Sequence, residues 1–374
     1  MFRSGQQVAI DFQRDVYCLL GLPIDALDAP EAIRRIRDAA LRRRPCFMST
    51  PNLNFLIGCR SDSHFRDSVI NSDLSIADGM PLVWVARLLG IPLRARITGS
   101  DLFEQMRISA AHPLSVYFFG GKEGVAEAAC RRLNAEPSGL VCVGFESPGS
   151  GPVEDISTEE SIARINASGA DFVVVALGAR KGQAWIERNR ARLSAPVISH
   201  LGAVLNFVAG TLERAPMWMR RWGLEWLWRT KEEPHLWRRY LGDGLALLGL
   251  LASRALPYAW YLRRHKPDPA HVANARADAH DEPRQYVIRL QGALTRHNIG
   301  VPRAGFSGAA LAGKDITLDL IGVAYVDSAF VGLVMLLKAH QARYRRKLLV
   351  LAPEGPVMQV FRYCCAEFLF SGTD

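Results

Sequence analysis

Along residues 1–211, short apolar runs alternate with stretches in which apolar residues recur every three or four positions. Runs at Pro45–Met48, Leu74–Ala77, Leu114–Phe119, Leu140–Gly144, Asp171–Leu177 and Pro196–Ile198 read as buried strands. They end at polar or turn-forming residues: Ser49-Thr50-Pro51-Asn52, Asp78-Gly79, Gly120-Gly121 and Gly178, and the last run leads to Gly202. Helical spacing fills the gaps, as in Pro81–Leu89, Glu123–Leu133 and Gln183–Leu193. This alternation predicts an α/β fold with a doubly wound, mostly parallel sheet. Ligands bind such sheets beyond the carboxyl ends of the strands, which is where these glycines and polar residues fall.

The pattern changes at residue 212. Trp218, Trp222, Leu224, Trp226 and Leu227 recur at near-helical spacing, and Gly244–Leu262 is an apolar stretch holding Arg254 and Pro257. A charge and a proline inside so short a stretch argue for a segment lying in a lipid interface rather than crossing it. A buried core helix has the same pattern. Residues 265–285 are rich in Pro, Ala and charge without apolar period and read as a linker. Residues 286–374 then make a small α/β domain. Its strands are expected at Tyr286–Leu294, Asp315–Leu320, Gly322–Val326 and Lys347–Leu351, and its helices at Val331–Tyr344 and from Pro356 to Phe361.

Composition adds two constraints. The net charge of +9 is uneven: residues 212–266 carry 11 Lys+Arg against five Asp+Glu, and six of the eight tryptophans. A basic, Trp-rich segment suits an anionic partner with an apolar boundary, such as membrane headgroups or a lipid-linked phosphate, better than nucleic acid. The seven cysteines are scattered with no Cys-x-x-Cys pair, which predicts neither a disulfide framework nor a thiolate zinc site and fits a reducing compartment. The opening MFRSGQQVAIDFQRD lacks the apolar core of a secretory signal.

Asp78 is the leading catalytic candidate. A carboxylate at a strand end, partly desolvated, serves as a general base, although Asp-Gly is also a common turn. Thr50 and Asn52 offer a hydroxyl and an amide to sugar or phosphate oxygens, or to helix capping. Gly120-Gly121 and Gly178 with Lys181 sit where a phosphate would meet a helix start. The spacing matches neither the dinucleotide nor the P-loop fingerprint, which argues against a nicotinamide dehydrogenase or an ATPase. The arginines of 214–239 are suited to a diphosphate.

In order along about residues 10–242 stand Thr50-Pro51-Asn52, Ser75-Ile76-Ala77-Asp78-Gly79-Met80-Pro81-Leu82-Val83-Trp84 and Arg96-Ile97-Thr98-Gly99-Ser100-Asp101-Leu102-Phe103. They are followed by Phe119-Gly120-Gly121, Ala176-Leu177-Gly178, Arg214-Ala215-Pro216-Met217-Trp218, Gly223-Leu224-Glu225-Trp226-Leu227-Trp228-Arg229 and Glu233-Pro234. This ordered set resembles the WecG/TagA/CpsF family of bacterial glycosyltransferases. The resemblance implies a Rossmann-like enzyme, peripheral on the inner face of the cytoplasmic membrane. It implies transfer of an N-acetylmannosamine-type or glucose-type sugar from a UDP-sugar to a polyprenyl-diphosphate-linked acceptor, with inversion and without a metal cofactor. It makes Asp78 the general base and Thr50 its catalytic companion. Asn52, Gly79, Gly120, Gly121, Gly178, Lys181 and Gln183 would bind substrate, and Arg229 and Arg238 would face the departing diphosphate. The family's Pro-Lys/Arg-Gln-Glu run reads Arg180-Lys181-Gly182-Gln183 here, and its Asp near Gly202 is Asn206.

Residues 285–374 resemble STAS domains on their strand pattern and on Val326-Asp327-Ser328 opening a helix that contains Gly332. The resemblance implies a protein partner and makes Ser328 either a phosphorylated regulatory residue or a helix cap. A second reading of the whole chain is a catalytically silent, nucleotide-sugar-binding or partner-binding regulator acting through this domain. UDP binding separates the first reading from a purely partner-binding one.

Overall fold

The computed structural model describes residues 10–109, 112–136, 139–351 and 355–371. Strands β1 (Val16–Leu19) and β2 (Leu22–Asp25) form an antiparallel hairpin. Six further strands follow: β3 (Cys46–Ser49), β4 (Leu74–Ser75), β5 (Leu114–Gly120), β6 (Leu140–Glu146), β7 (Phe172–Ala176) and β8 (Val197–His200). They build one sheet in the order β4-β3-β8-β7-β5-β6, with every pairing parallel. Side chains along a strand alternate between faces. Thus Phe172 and Val174 join the core on one side of the sheet with Met48, Val116 and Phe118. Val173 and Val175 join the core on the other with Phe47, Phe119 and Trp185. Helices cover both faces, which makes the central strands apolar throughout. All six strands were legible in the sequence, although β4 is shorter than its apolar run.

The last four strands are β9 (Arg276–Asp281), β10 (Gln285–Leu294), β11 (Asp315–Val326) and β12 (Leu348–Leu351), in the order β12-β11-β10-β9. β9 is antiparallel to β10 and the other two pairings are parallel. Three sequence expectations are corrected here. The presumed linker 265–285 holds a short helix, Pro269–Ala273, and the edge strand β9. Its residues Arg-Ala-Asp-Ala-His-Asp offer only alanines as an apolar face, Ala277 lying against the helix Gly300–Ala312, and backbone pairing with β10 is supplemented by Arg276–Gln291 and Lys314–Asp281 contacts. The two runs 315–320 and 322–326 are one strand, kinked by register shifts opposite β10 near Gln291 and Gly292. Cys130 and Cys142 form a disulfide, 12 residues apart.

Packing divides the chain differently from composition. Leu27–Val83 and Arg94–Leu245 form one compact unit; the segment ending at Ala26, Trp84–Leu93 and the chain from Ala246 onward form the other. The β1–β2 hairpin therefore belongs with the C-terminal strands, not with the six-stranded sheet. It packs against the helix Ser328–Arg343, of whose 16 residues 13 are buried. That helix is apolar around its circumference and needs cover on more than one side. Gly332 lets the hairpin backbone approach: a Cβ there would stand 2.7 Å from the Val16 carbonyl oxygen. A buried ion pair, Arg14–Asp25 at 2.7 Å, and a bond from Arg303 Nη2 to the Arg14 carbonyl at 2.9 Å fix the hairpin base.

Trp237–Arg264 is a continuous 28-residue helix, long and apolar enough by composition to cross a membrane. A π-helical stretch, Leu251–Ala255, interrupts it. Arg254 in that stretch donates to the Arg362 carbonyl and pairs with Glu367. Trp237, Leu241, Leu245, Leu248, Leu256 and Trp260 are exposed at intervals of three, four or eight residues, one apolar stripe.

Gly332→Val is expected to push the hairpin off its helix. Overpacking of this kind typically costs about 1–3 kcal/mol. Hydrogen exchange should show faster exchange of residues 16–25 with the six-stranded sheet unaffected; unchanged protection there would contradict the packing described.

Candidate functional site

Asp78 lies three residues beyond β4, and the backbone around it is pinned on both sides. Ile76 N donates to the Ser49 carbonyl (3.0 Å), Asp78 N to the Pro51 carbonyl (2.7 Å) and Ile97 N to the Ala77 carbonyl (3.1 Å). The Asp78 carboxylate accepts one backbone bond, from Gly99 N at 3.3 Å. Gly99 also fixes Thr50: a Cβ at residue 99 would stand 3.5 Å from the Thr50 methyl. Thr50, 5% exposed, and Asp78 therefore flank the same glycine.

Glu225, Arg96 and Asp101 act on the Asp78 charge, and two further arginines reach Asp101. Arg96 Nη1 meets Glu225 Oε2 at 2.9 Å. Arg214 and Arg220 both converge on Asp101 Oδ1, at 2.6 and 3.2 Å. Thr98 caps the following helix, Gly99–Ile108, by accepting from Asp101 N. Among the described residues the guanidinium groups are thus committed to Glu225 and Asp101, and Asp78 makes no ion pair. The consequence is a split in proton affinity. Asp78 is pushed up to about 7, by burial first and then by the Glu225 charge, with the Asp101 charge adding a smaller push; the Gly99 N–H and Arg96 oppose this without prevailing. Burial pushes Asp101 the same way, but hydrogen bonds from Thr98 and Arg214 outweigh it and hold that carboxyl below its usual range. A carboxylate poised near neutrality beside cations is suited to accept a proton while negative charge departs.

The other expected residues are placed as follows. Asn52 caps the helix Leu53–Ser61, accepting from Phe55 N at 3.2 Å, and lies beside Gly79. Gly120 and Gly121 end β5 at positive φ, where Gly121 N donates to the Ala176 carbonyl; close backbone packing already accounts for the missing side chains. Gly178 precedes the helix Ala179–Asn189, and Lys181 in its first turn is half-buried. Gln183 is fully buried and donates to Ser49 Oγ at 3.0 Å. Arg229 pairs with Glu233 at 2.8 Å, and exposed Arg238 lies over the Trp237 ring. Arg96 acts on Asp78, Arg214 and Arg220 meet Asp101, and Arg229 also feels the Glu225 charge. Arg96 and Arg214 sit in the Arg96–Phe103 and Arg214–Trp218 blocks and Arg220 among the arginines of 214–239; pairing partners more than 100 residues away are invisible in one dimension. Ser328 is in the other unit and is buried. Its helix is capped by Asp327, which accepts from Ala329 N and Phe330 N, so Ser328 is the first helical residue and not the cap. Among the described residues no group of three His, Cys, Asp or Glu is placed to hold a metal.

The profile of the glycosyl transferase WecG/TagA/CpsF family matches residues 17–259, and that of the Mlab, STAS domain matches residues 278–365. An N-acetylglucosaminyldiphosphoundecaprenol N-acetyl-beta-D-mannosaminyltransferase of Bacillus spizizenii is 29% identical over 54% of this chain and 76% of its own. The protein of that name from Bacillus subtilis is 28% identical over 60% of this chain and 85% of its own. One from Staphylococcus aureus strain MW2 is 23% identical over 59% and 85%. The chain belongs to the WecG/TagA/CpsF glycosyltransferase family and carries a STAS domain after its transferase region.

Proposed function

We propose that the protein is an inverting transferase that moves a sugar from a UDP-sugar to a polyprenyl-diphosphate-linked acceptor in envelope or exopolysaccharide synthesis. The observation that carries this reading is the Asp78 carboxylate, in no ion pair among the described residues and held near neutrality across Gly99 from Thr50, with Arg96 near and Arg214 and Arg220 on neighbouring Asp101. The relatives support it, being named as transferases that act on N-acetylglucosaminyldiphosphoundecaprenol. In this scheme Asp78 takes the proton of the acceptor hydroxyl as its oxygen bonds to the anomeric carbon. The bond from that carbon to the UDP oxygen breaks in the same displacement, which inverts the configuration. UDP leaves with the electron pair, and the arginines meet its charge. No metal cofactor is assigned a role.

The reading places the protein at the inner face of the cytoplasmic membrane, where its acceptor is held. Trp218, Trp222, Trp226 and Leu227 are exposed, and the helix Trp237–Arg264 adds its apolar stripe with Arg263-Arg264 at its end. Tryptophans beside basic residues suit the headgroup boundary.

Asp78→Asn should lower kcat/KM by about 10²–10⁴-fold. The wild-type rate should rise with pH through about 7 and then level, because only the ionised carboxylate accepts the proton. Stability should move the other way. Folded Asp78 keeps its proton up to about 7, against 3.8 ordinarily, so between those values the folded chain holds more protons and this contribution to stability falls as pH rises. Asp78→Asn should therefore raise Tm at alkaline pH, with the gain vanishing below 3.8. A variant that is both active and no more stable would contradict the assignment.

Trp218→Glu with Trp222→Glu should weaken sedimentation with anionic phosphatidylglycerol vesicles by roughly tenfold. It should leave UDP binding intact. Equal vesicle binding by the variant would remove these tryptophans from the membrane surface.

A further inference from the structure

Asp243 lies in the helix Trp237–Arg264, two residues from Leu241 and two from Leu245. At 3.6 residues per turn it faces away from those two members of the exposed apolar stripe. It is 8% exposed, and it is held from the side of the sheet where Asp78 lies. Asn54 Nδ2 donates to its Oδ2 at 3.4 Å. Asn54 is in the first turn of the helix Leu53–Ser61, whose cap Asn52 lies beside Gly79: a Cβ at residue 79 would stand 3.7 Å from Asn52 Cβ. Asp243 and Asp78 are thus brought to the same end of the sheet, through an asparagine two residues from the cap that meets Gly79.

The fold makes little use of this carboxylate. Among the described residues it closes no ion pair, and its Oδ1 accepts no hydrogen bond although that oxygen is not sealed off. Arg239, one turn earlier, acts on it through its charge but lies over the Tyr240 ring, 5.1 Å from the centroid. Burial keeps the carboxyl above its usual range, with the Asn54 bond and the Arg239 charge opposing. The flanking residues are Gly242 and Gly244. Glycine inside a helix is destabilising relative to alanine and is kept where another group must come close. Yet a Cβ at either position would meet no described atom within 4 Å outside its chain neighbours and its own helix backbone. Packing of the chain therefore calls for neither glycine. Together they leave bare helix surface on both sides of a carboxylate with an unused oxygen.

We propose that Asp243 is an acceptor-binding residue whose Oδ1 accepts hydrogen bonds from hydroxyl groups of the acceptor sugar, the ring lying on the helix surface that Gly242 and Gly244 leave bare. This rests on the lipid-linked acceptor of the reading above. One helix then serves both parts of that substrate: its apolar stripe meets the lipid around the polyprenyl tail, and its other side holds the sugar. A carboxylate repels a diphosphate, so Asp243 suits the uncharged ring and leaves the phosphates to the arginines. Held there, the acceptor sugar has its hydroxyl groups at the end of the sheet where Asp78 takes the proton.

Steady-state kinetics on the full chain in detergent test this, with farnesyl-diphosphate-linked N-acetylglucosamine as acceptor and a panel of UDP-sugars as donors. Asp243→Ala should raise the acceptor KM about tenfold and leave the donor KM and UDP affinity within about twofold of wild type. Acceptors that each lack one sugar hydroxyl give a readout that a merely structural role would not move. Wild type should lose about tenfold against one of them, and Asp243→Ala should treat that analogue and the parent alike. Gly242→Ala with Gly244→Ala should raise Tm, since alanine favours the helix, and still raise the acceptor KM by crowding the ring; it serves if Asp243→Ala does not fold. A wild-type acceptor KM in both variants, or a loss in Asp243→Ala shared equally by the donor, would overturn the proposal. Failure of wild type to glycosylate this acceptor from any UDP-sugar would instead overturn the reading on which it stands.

Discussion

The site depends on how three guanidinium groups are shared among three carboxylates. Arg214 and Arg220 are spent on Asp101, and Arg96 on Glu225. Had any of them closed on Asp78, that carboxyl would be ionised far below neutrality and a poor base. Instead Asp78 is left with one backbone donor, surrounded by protein and near the Glu225 charge. The same interaction that withholds a cation from Asp78 keeps that cation close by. A carboxyl near neutrality and paired guanidinium groups coexist because their pairing is arranged in advance by the fold.

That arrangement also ties the site to the segment after the six-stranded sheet. Arg214, Arg220 and Glu225 all lie in the Trp-rich stretch that begins at residue 212, while Arg96, Asp101 and Asp78 lie in loops and helices after β4. The stretch that exposes tryptophans therefore also completes the electrostatics around Asp78. In the C-terminal unit, by contrast, polar chemistry is sealed. The helix Ser328–Arg343 is covered by the β1–β2 hairpin, and Ser328 is buried at its start behind the Asp327 cap. A kinase would reach Ser328 only after local opening of this packing.

The parallel sheet was legible because each central strand is covered on both faces and so reads as an unbroken apolar run. The strand-end positions of Asp78, Thr50 and Gly178 were legible for a related reason: each follows the end of such a run. Three kinds of feature were not legible. β9 carries only two alanines as an apolar pattern, too weak a signal for an exposed edge strand. The hairpin's attachment to a helix 300 residues away is a matter of surface fit at Gly332, which sequence spacing does not encode. That Arg214 and Arg220 meet Asp101 while Arg229 meets Glu233 depends on which carboxylate the fold brings to each side chain, and spacing does not show it.

The central claim is that the fold leaves Asp78 without a cation. Its most direct test is infrared difference spectroscopy of wild type against Asp78→Asn across a pH series, following the protonated carboxyl band that the substitution removes. The account requires a midpoint near 7 for that band. A midpoint at or below the ordinary carboxylate value of 3.8 would mean that an arginine pairs with Asp78 after all.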